Sequence, residues 1–432
     1  MFARLRQRPL DLYLAYRALA NTWVFMPFQV LYLEQRGLQL STIFDLNVAF
    51  TLACVLFEVP TGIYADRRGR RKAMALGGVV MTVACLVFVA SPGVWGYALA
   101  NVLFALSMTL ASGADSAWLY DHLEGEKRRR AEAFRADPTK RPPPPPDYSS
   151  LEGYSTAAKG IGNLVAVLVC TPFFAIAPWS VFVITGIITA ASSVVAHALP
   201  SEEHVTRDGS YRRDLARATQ TIAKHGRIAA ILAFGAITFV LFRIPLFADQ
   251  PHLEVHLTEL TLTRLALAAS LLQAGKEIGG IGFSYTAGRV IKTLTPVVVV
   301  VAIAIIVLGT YATMGLGFAV PDILLMVFLS SLFSLFSPLM RTLMNDAIPS
   351  SRDRATLLSF ESMGRRVLFA AASPLFGRAV ESSSLHATFT GTAWVAVVLY
   401  ATLGAYAITT PPLPLSRERT EEGPTSITSY ID

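Results

Sequence analysis

Charged side chains interrupt several long apolar stretches of this 432-residue chain. Lys276 and Glu277 are neighbours near the middle of one stretch. Successive positions on a helix point about 100° apart, so the two side chains cannot share a face. A lysine at such a depth can bind an anion or neutralise an acid, and a glutamate there can carry a proton. An ion pair with another helix is the alternative role for both residues.

Further polar side chains with related chemistry lie within other apolar stretches or near their ends. They are Arg17, Asn21, Gln29, Glu58, Asp115, Arg243, Glu361, Arg365 and Arg366. Arg17 either extends to the membrane surface or lines an inner cavity. Glu58 and Asp115 are expected to be gate or helix-pairing acids, and Arg243 is expected toward the outer mouth. Glu361 precedes two arginines by four and five positions, a spacing that allows pairing on one helix.

The composition identifies an integral membrane protein. Hydrophobic residues make up 53% of the chain and charged residues 16%, with a mean hydropathy of +0.49. A helix needs about 20 apolar residues to cross about 30 Å of hydrocarbon, and such segments recur along the whole length. The predicted fold is all-α, with twelve transmembrane helices at 10–34, 41–64, 73–91, 94–120, 154–177, 179–199, 228–249, 260–288, 296–317, 321–346, 356–379 and 386–409.

The basic residues indicate the orientation of these spans. Alternate loops hold 27 of the 37 lysines and arginines, and basic loops stay on the cytoplasmic side. We therefore predict a multi-pass protein of the cell (inner or plasma) membrane with both termini in the cytoplasm. The net charge of +7 then reflects contact with anionic lipid, and no nucleic-acid partner is expected. A retained first helix is preferred to a signal peptide because Arg17, Asn21 and Pro27 interrupt the apolar run.

Polar segments divide the chain into two halves. A cytoplasmic loop at 200–227 separates a six-helix bundle at 1–199 from a second bundle at 228–410. A serine and an aspartate recur at the same spacing at the ends of the fourth and tenth spans, which supports pseudo-symmetry around a central cavity. The first half has a long loop at 121–153, whose five consecutive prolines favour polyproline II, as a passive spacer or as a site for an SH3-like partner. The tail at 411–432 is predicted to be disordered.

A basic loop between the second and third spans carries a distinctive pattern. Its residues are Gly62, Asp66, Arg67, Gly69, Arg70 and Arg71. The two glycines are expected to let the chain turn at the bilayer surface. The pattern, its position, the helix number and the central loop together resemble the major facilitator superfamily over about residues 10–410. The resemblance implies a secondary transporter whose two halves rock about a central site.

The same resemblance implies a role for this loop in closing the cytoplasmic side. Asp66 would face the positive dipole end of the helix that begins near Arg354, and the arginines after it would pair with acids such as Glu361 or with lipid phosphate. An ordinary topology-setting loop is the alternative. The second half departs from the pattern because Lys292 stands at the position equivalent to Asp66. The glycine series of drug antiporters is also missing from the fifth span.

Aromatic and methionine residues occur on the spans that line the site in this superfamily, the first, fourth, seventh and tenth. They are Trp23, Phe25, Phe28, Tyr32, Phe104, Met108, Phe239, Phe242, Phe333 and Phe336. Arginine and amide side chains beside such a lining suit a small amphiphilic organic solute better than a sugar.

The sequence therefore predicts a proton-coupled exporter of such a solute, a monomer that works by alternating access. A proton-coupled uptake symporter is one alternative, and a non-transporting receptor or scaffold with the same fold is an alternative of another class. An enzyme is not expected because the sequence has no nucleotide-binding loop, metal-ligand spacing or nucleophile–base arrangement. No cofactor or metal is predicted, and Cys54, Cys85 and Cys170 are expected to be inert packing residues.

Overall fold

The computed structural model describes residues 9–136, 148–201, 219–256, 261–348 and 354–409, and every regular element within these ranges is helical. The predicted proline run and disordered tail lie outside the described residues. The helices are α1 (Pro9–Ala20), α2 (Gln29–Gln35), α3 (Leu40–Arg68), α4 (Arg70–Ala90), α5 (Val94–Ala111), α6 (Ala114–Ala136), α7 (Tyr148–Ile176), α8 (Ser180–Ala198), α9 (Gly226–Arg243), α10 (Pro245–His256), α11 (Leu262–Thr293), α12 (Pro296–Leu316), α13 (Ala319–Ala347), α14 (Arg354–Ser382) and α15 (Leu385–Thr409).

Three of the predicted spans are each divided into two helices. The first is interrupted by a 3-10 turn at Met26–Phe28, the fourth at Gly113, which has a φ of 83°, and the seventh where α10 begins with Pro245. Proline lacks the N–H that would continue the hydrogen-bond ladder, and glycine adopts left-handed backbone at little cost. The predicted loop at 121–153 is helical at both of its ends, because α6 continues to Ala136 and α7 begins at Tyr148.

Nine helical stretches of the described residues are long and apolar enough to cross a membrane. Helices α1 and α2 are shorter than a full span, and α11 and α14 contain several of the charged side chains that the sequence singles out. Twelve spans are compatible with this architecture. Large apolar side chains such as Leu56, Ile305 and Trp394 are exposed on the outside of the bundle, as expected for a multi-pass protein whose surroundings are lipid.

Small residues allow close helix packing within the first half. Helix α4 packs against α5 and α8. Ser107 Oγ on α5 donates a hydrogen bond to Gly77 O on α4 at 2.7 Å. A Cβ atom at Gly78 would lie 2.7 Å from the carbonyl oxygen of Thr189 on α8, so this contact requires glycine. Such small-residue contacts are typical of helices that associate in membranes.

Two helix pairs form most of the contact between the halves, which comprise α1–α8 and α9–α15. Helix α3 packs along α14, and α7 packs along α11. We name the two ends of the bundle after α3. The loop end is where α3 meets α4 at Gly69, and the far end is where α3 begins at Leu40.

Apolar packing differs between the two ends of the bundle. At the far end, Phe44 belongs to a buried cluster that otherwise consists of second-half residues, and Leu253 and Leu272 belong to a cluster built mainly from the first half. At the loop end, one cluster contains first-half residues alone and another contains second-half residues alone. The far end is therefore sealed by shared packing, whereas the halves pack separately at the loop end.

Polar contacts also cross between the halves at the far end. The backbone N–H of Ser41 donates to Glu381 Oε1 at 2.8 Å, and Arg378 lies 3.7 Å from the carboxylate of Asp45. Both pairs connect the beginning of α3 with the end of α14. Both pairs are exposed, so they mark the contact of α3 with α14 at the closed end but add little to its stability.

Candidate functional site

The turn between α3 and α4 depends on one of its two glycines. Gly69 has a φ of 101°, which a residue with a side chain rarely adopts. Gly62 lies within α3, where a Cβ atom would meet no other atom within 4 Å. The expectation that both glycines form the turn is therefore wrong for Gly62, because α3 continues for six further residues to Arg68 before it ends.

The charged residues of this loop bind to the first half. Arg70 Nε lies 3.0 Å from Asp121 Oδ2 of α6 and a guanidinium nitrogen lies 3.8 Å from Asp66. Arg71 donates to the carbonyl oxygen of Leu199 at 2.8 Å. Arg67 is exposed. Arg70 thus pairs with first-half acids rather than with Glu361, and the proposed contact of Asp66 with the beginning of α14 stays a prediction.

Arg17 forms an ion pair with Asp115 inside the first half, and both side chains are largely buried. Asp115 Oδ1 also accepts the backbone N–H of Ser116 at 2.7 Å. Asn21 Nδ2 donates to the carbonyl oxygen of Arg17 at 3.1 Å. Arg17 therefore joins α1 to α6 through this ion pair, whereas the sequence left open whether it extends to the membrane surface or lines an inner cavity.

Lys276 and Glu277 point to different partners, as their adjacent positions require. Lys276 forms a buried ion pair with Asp249 of α10. Glu277 Oε1 accepts hydrogen bonds from Gln273 Nε2 at 3.1 Å and from Asn163 Nδ2 at 3.3 Å. Asn163 lies on α7, so this contact crosses between the halves. The sequence missed Asn163 and Gln273 because uncharged amides on apolar helices give no distinct signal.

A cavity of about 300 Å³ lies between the two halves. Aromatic and methionine side chains from both halves form most of its wall, including Trp23, Phe25, Phe104, Met108, Phe239, Phe247, Phe333 and Phe369. Its polar lining consists mainly of Gln29, Asn47, Thr51, Asn101, Arg243, Arg365 and Arg366. Of the aromatic residues predicted to line a site, Phe28, Tyr32 and Phe336 are instead buried in apolar clusters.

The three arginines of the cavity differ in how their charge is balanced. Arg366 lies 2.8 Å from Glu58 across the interface between the halves. Arg365 lies 3.3 Å from Glu361 and its guanidinium lies 5.2 Å from the ring centre of Phe239. Glu361 thus pairs with one of the two arginines that follow it. The other reaches Glu58, because its helix position faces the first half.

Of the three arginines that line the cavity, Arg243 is the one whose positive charge is least balanced by neighbouring groups. Its guanidinium lies 5.7 Å from the ring centre of Phe247 and 6.0 Å from that of Phe369. Within the described ranges, no carboxylate lies at ion-pair distance from it. Arg243 was expected toward the outer mouth, but it lines the central cavity because α9 ends at this residue and Pro245 begins a new helix.

A second cavity of about 250 Å³ adjoins the first and shares Arg243 and Phe333 with it. It lies between α7 and α11, and its wall includes Lys159, Lys276 and Glu277. The structure therefore brings together residues of both halves that are distant in sequence. Glu277 and Arg243 both line the second cavity, whereas Arg17 and Asp115 lie in the first half and line neither cavity.

Comparisons with known proteins agree with this architecture. Residues 18–136 match the family model of the Major Facilitator Superfamily. A 107-residue segment is 31% identical to the uncharacterized MFS-type transporter YxaM of Bacillus subtilis (strain 168), covering 24% of this chain and 26% of YxaM. The chain thus spans about a quarter of that relative's length.

Two solved structures share the fold over nearly the whole chain. A mutant of the nucleoside transporter NupG superposes with a TM-score of 0.75 at 14% identity, covering 92% of this chain and 99% of that one. A bacterial homologue of the human lysosomal transporter Spinster, in an inward-facing and occupied conformation, gives a TM-score of 0.62 at 13% identity, covering 94% and 96%.

The chain thus shares the multi-pass helical fold of these solved transporters. The family match over residues 18–136, the relative YxaM and the shared fold support the resemblance to the major facilitator superfamily that the sequence predicts.

Proposed function

We propose that this protein moves a small amphiphilic organic solute, with a negatively charged group, across the membrane by alternating access. The observation that carries the proposal is the cavity between the halves, where Arg243 faces an aromatic wall without a carboxylate of the described residues beside it. A buried cation is costly unless it is paired. A solute that brings an anionic group to Arg243 and an apolar part to the aromatic rings would satisfy both features.

The packing of the two ends supports an inward-facing state. The far end is sealed across the halves, and the loop end is not. The loop end carries the basic residues of the α3–α4 turn, which favour the cytoplasmic side. With that orientation, the cavity would exchange solute with the cytoplasm in this state and with the outside after the halves rock.

Glu277 is the residue that we propose for proton coupling. It lies beside the second cavity and contacts the first half through Asn163. Its hydrogen-bond partners within the described ranges are two amide groups, Asn163 and Gln273, and an amide can face either the ionised or the protonated carboxyl group. Loading and release of a proton at Glu277 would thus change a contact between the halves. We propose efflux coupled to proton entry, with uptake together with protons as the alternative.

The test is transport by purified protein in proteoliposomes, with and without an imposed pH gradient. The solute panel contains aromatic carboxylates, nucleosides and cationic dyes, because NupG is described as a nucleoside transporter and dyes test the charge preference. Wild type is compared with Glu277→Gln, and Glu132→Gln, an exposed acid on α6, is the matched control.

We expect gradient-driven flux of a carboxylate in wild type and in Glu132→Gln. In Glu277→Gln, solute exchange should continue while the pH gradient no longer drives accumulation, because the carboxyl group that takes the proton is gone. Equal gradient dependence in all three proteins would contradict the role of Glu277. Transport of cationic dyes alone would contradict the anionic substrate, and absence of all flux would favour a receptor or scaffold.

A further inference from the structure

Three potential metal ligands converge at the far end of the second half, away from both cavities. They are His252 near the end of α10, Asp322 in the first turn of α13 and His386 in the first turn of α15. One ligand atom from each residue lies within 4.8 Å of the others. We propose that they form a binding site for a divalent transition-metal ion, with Zn²⁺ as the reference ion.

The spacing of the donor atoms is close to what a metal requires. His252 Nε2 lies 3.6 Å from Asp322 Oδ2. Zinc bonds of about 2.0–2.1 Å in a tetrahedral arrangement place neighbouring ligand atoms about 3.3 Å apart. The His386 ligand atom lies within 4.8 Å of the other two, so it must approach by at most about 1.5 Å when an ion binds. Two histidines and one carboxylate are a common set for zinc, with water in the fourth position.

The environment of Asp322 also points to a cation. Its side chain and that of His252 are fully buried. Neither carboxylate oxygen of Asp322 accepts a hydrogen bond from the described residues. A buried carboxylate without hydrogen bonds is costly, and a metal ion held jointly with two imidazoles would remove that cost. His386 is only half-buried and offers a path for the ion to enter.

The backbone around the site holds His386 in place. Gly317 adopts a φ of 76°, and a Cβ atom at this position would lie 3.1 Å from His386 Nε2. The glycine therefore allows the loop before α13 to pack directly on the imidazole ring. The rings of His252 and His386 are nearly perpendicular, with centres 6.0 Å apart. A bound ion would fasten α10, α13 and α15 to one another at the closed end of the bundle.

The sequence predicts no metal ligands because these three residues stand on helices that are far apart along the chain. No pair has the short spacing that marks metal sites in sequences. The close approach exists only after α10, α13 and α15 pack together. The site is independent of the proposed transport cycle, because none of its residues lines either cavity.

The test is direct metal binding to the full-length protein, purified in detergent without an affinity tag. Calorimetric titration with ZnCl₂, together with metal analysis after dialysis, should give one zinc ion per chain. Asp322→Asn and His252→Gln should each weaken zinc binding by at least about tenfold. Mutation of residues that only hydrogen-bond to metal ligands already lowers metal affinity by about 10–100-fold. His197→Gln, which changes an exposed histidine on α8, should bind zinc like wild type.

Two further measurements separate loss of the site from loss of the fold. The melting temperature should rise with zinc in wild type and in His197→Gln, but not in the two site variants. Co²⁺ should give the absorption bands of a tetrahedral site in the wild-type protein. Asp322→Asn and His252→Gln should not show these bands. Absence of stoichiometric zinc in wild type, or equal affinity in the site variants, would overturn the proposal and leave a simple His–Asp–His contact.

Discussion

The two ends of the interface between the halves are built from different interactions. At the far end, Phe44 packs against Phe247 and Phe376 of the other half, with ring centres 6.0 and 5.6 Å apart. At the loop end, the clusters around Trp118 and around Met344 each belong to one half. The halves thus share a core at one end and keep separate cores at the other. A protein that opens toward one side of the membrane at a time requires such a difference between its two ends.

The polar contacts in the middle of the interface are of a third kind. Glu58 with Arg366, and Asn163 with Glu277, cross between the halves beside the two cavities. Such contacts depend on charge and protonation, whereas the apolar seal at the far end does not. In the proposed transport cycle, solute and protons act on these middle contacts, and the two ends respond.

The largest expected effect comes from fixing the far end. Asp45→Cys combined with Arg378→Cys places two thiols at an exposed contact between the halves. The native cysteines at 54, 85 and 170 are all buried, so a polar bifunctional thiol reagent should react with the new pair. Cross-linking should abolish nearly all flux, because the far end can then no longer open. Reversal of a cleavable cross-link should restore transport.

Single-cysteine variants treated in the same way control for labelling itself. Full transport by the cross-linked double variant would show that the far end need not open.

The next effect concerns the cavity. Arg243→Gln removes the one cavity arginine that has no carboxylate beside it within the described ranges. Loss of a charge-assisted hydrogen bond costs about 1.5–3 kcal/mol, so binding of an anionic solute should weaken by at least about tenfold. Arg243→Lys should retain part of the affinity. Competition binding in detergent measures the change, and Arg264→Gln, at an exposed position on α11, is the matched control.

Unchanged affinity in Arg243→Gln, together with normal insertion, would place the anion elsewhere. Equal weakening in Arg264→Gln would point to a general charge effect.

A smaller effect is expected at the loop end. Asp66 is 54% exposed and its contact with Arg70 is long, at 3.8 Å, so the pair adds little to this state. Asp66→Asn should lower initial transport rates several-fold with normal membrane insertion, because the lock at the loop end would form only after the halves rock. Glu124→Gln, in an exposed pair with Lys127, should transport like wild type. Equal rates in Asp66→Asn and wild type would count against the locking role.

The smallest effect separates the two glycines of the same segment. Gly69→Ala should lower stability by about 1–3 kcal/mol, because its backbone lies in a region that essentially only glycine occupies. Gly62→Ala should be neutral or slightly stabilising, since a Cβ atom there meets nothing and alanine favours helix. Thermal midpoints in detergent measure both. Equal midpoints would show that the turn relaxes around the alanine.

The sequence predicted the all-helical membrane fold because long apolar segments have few alternatives to helices in lipid. It could not predict the partners of the charged residues. Glu361 was expected to serve both arginines that follow it, but Arg366 faces Glu58 of the other half. Such pairs depend on how each helix is rotated against its neighbours, and apolar segments leave that rotation open. For the same reason, the ion pair between Asp249 and Lys276 could not be predicted from the sequence.

The most direct test of alternating access is a pair of distances measured by pulsed electron spin resonance in nanodiscs. One pair of spin labels replaces Asp45 and Arg378 at the far end, and the other replaces Arg68 and Asp346, which are exposed at the loop end. Distances are recorded between pH 5 and pH 8 and with any solute that proteoliposomes transport. We predict that the far-end distance lengthens in the same samples in which the loop-end distance shortens. Distances that stay fixed at both ends, or that change in the same direction, would contradict the account.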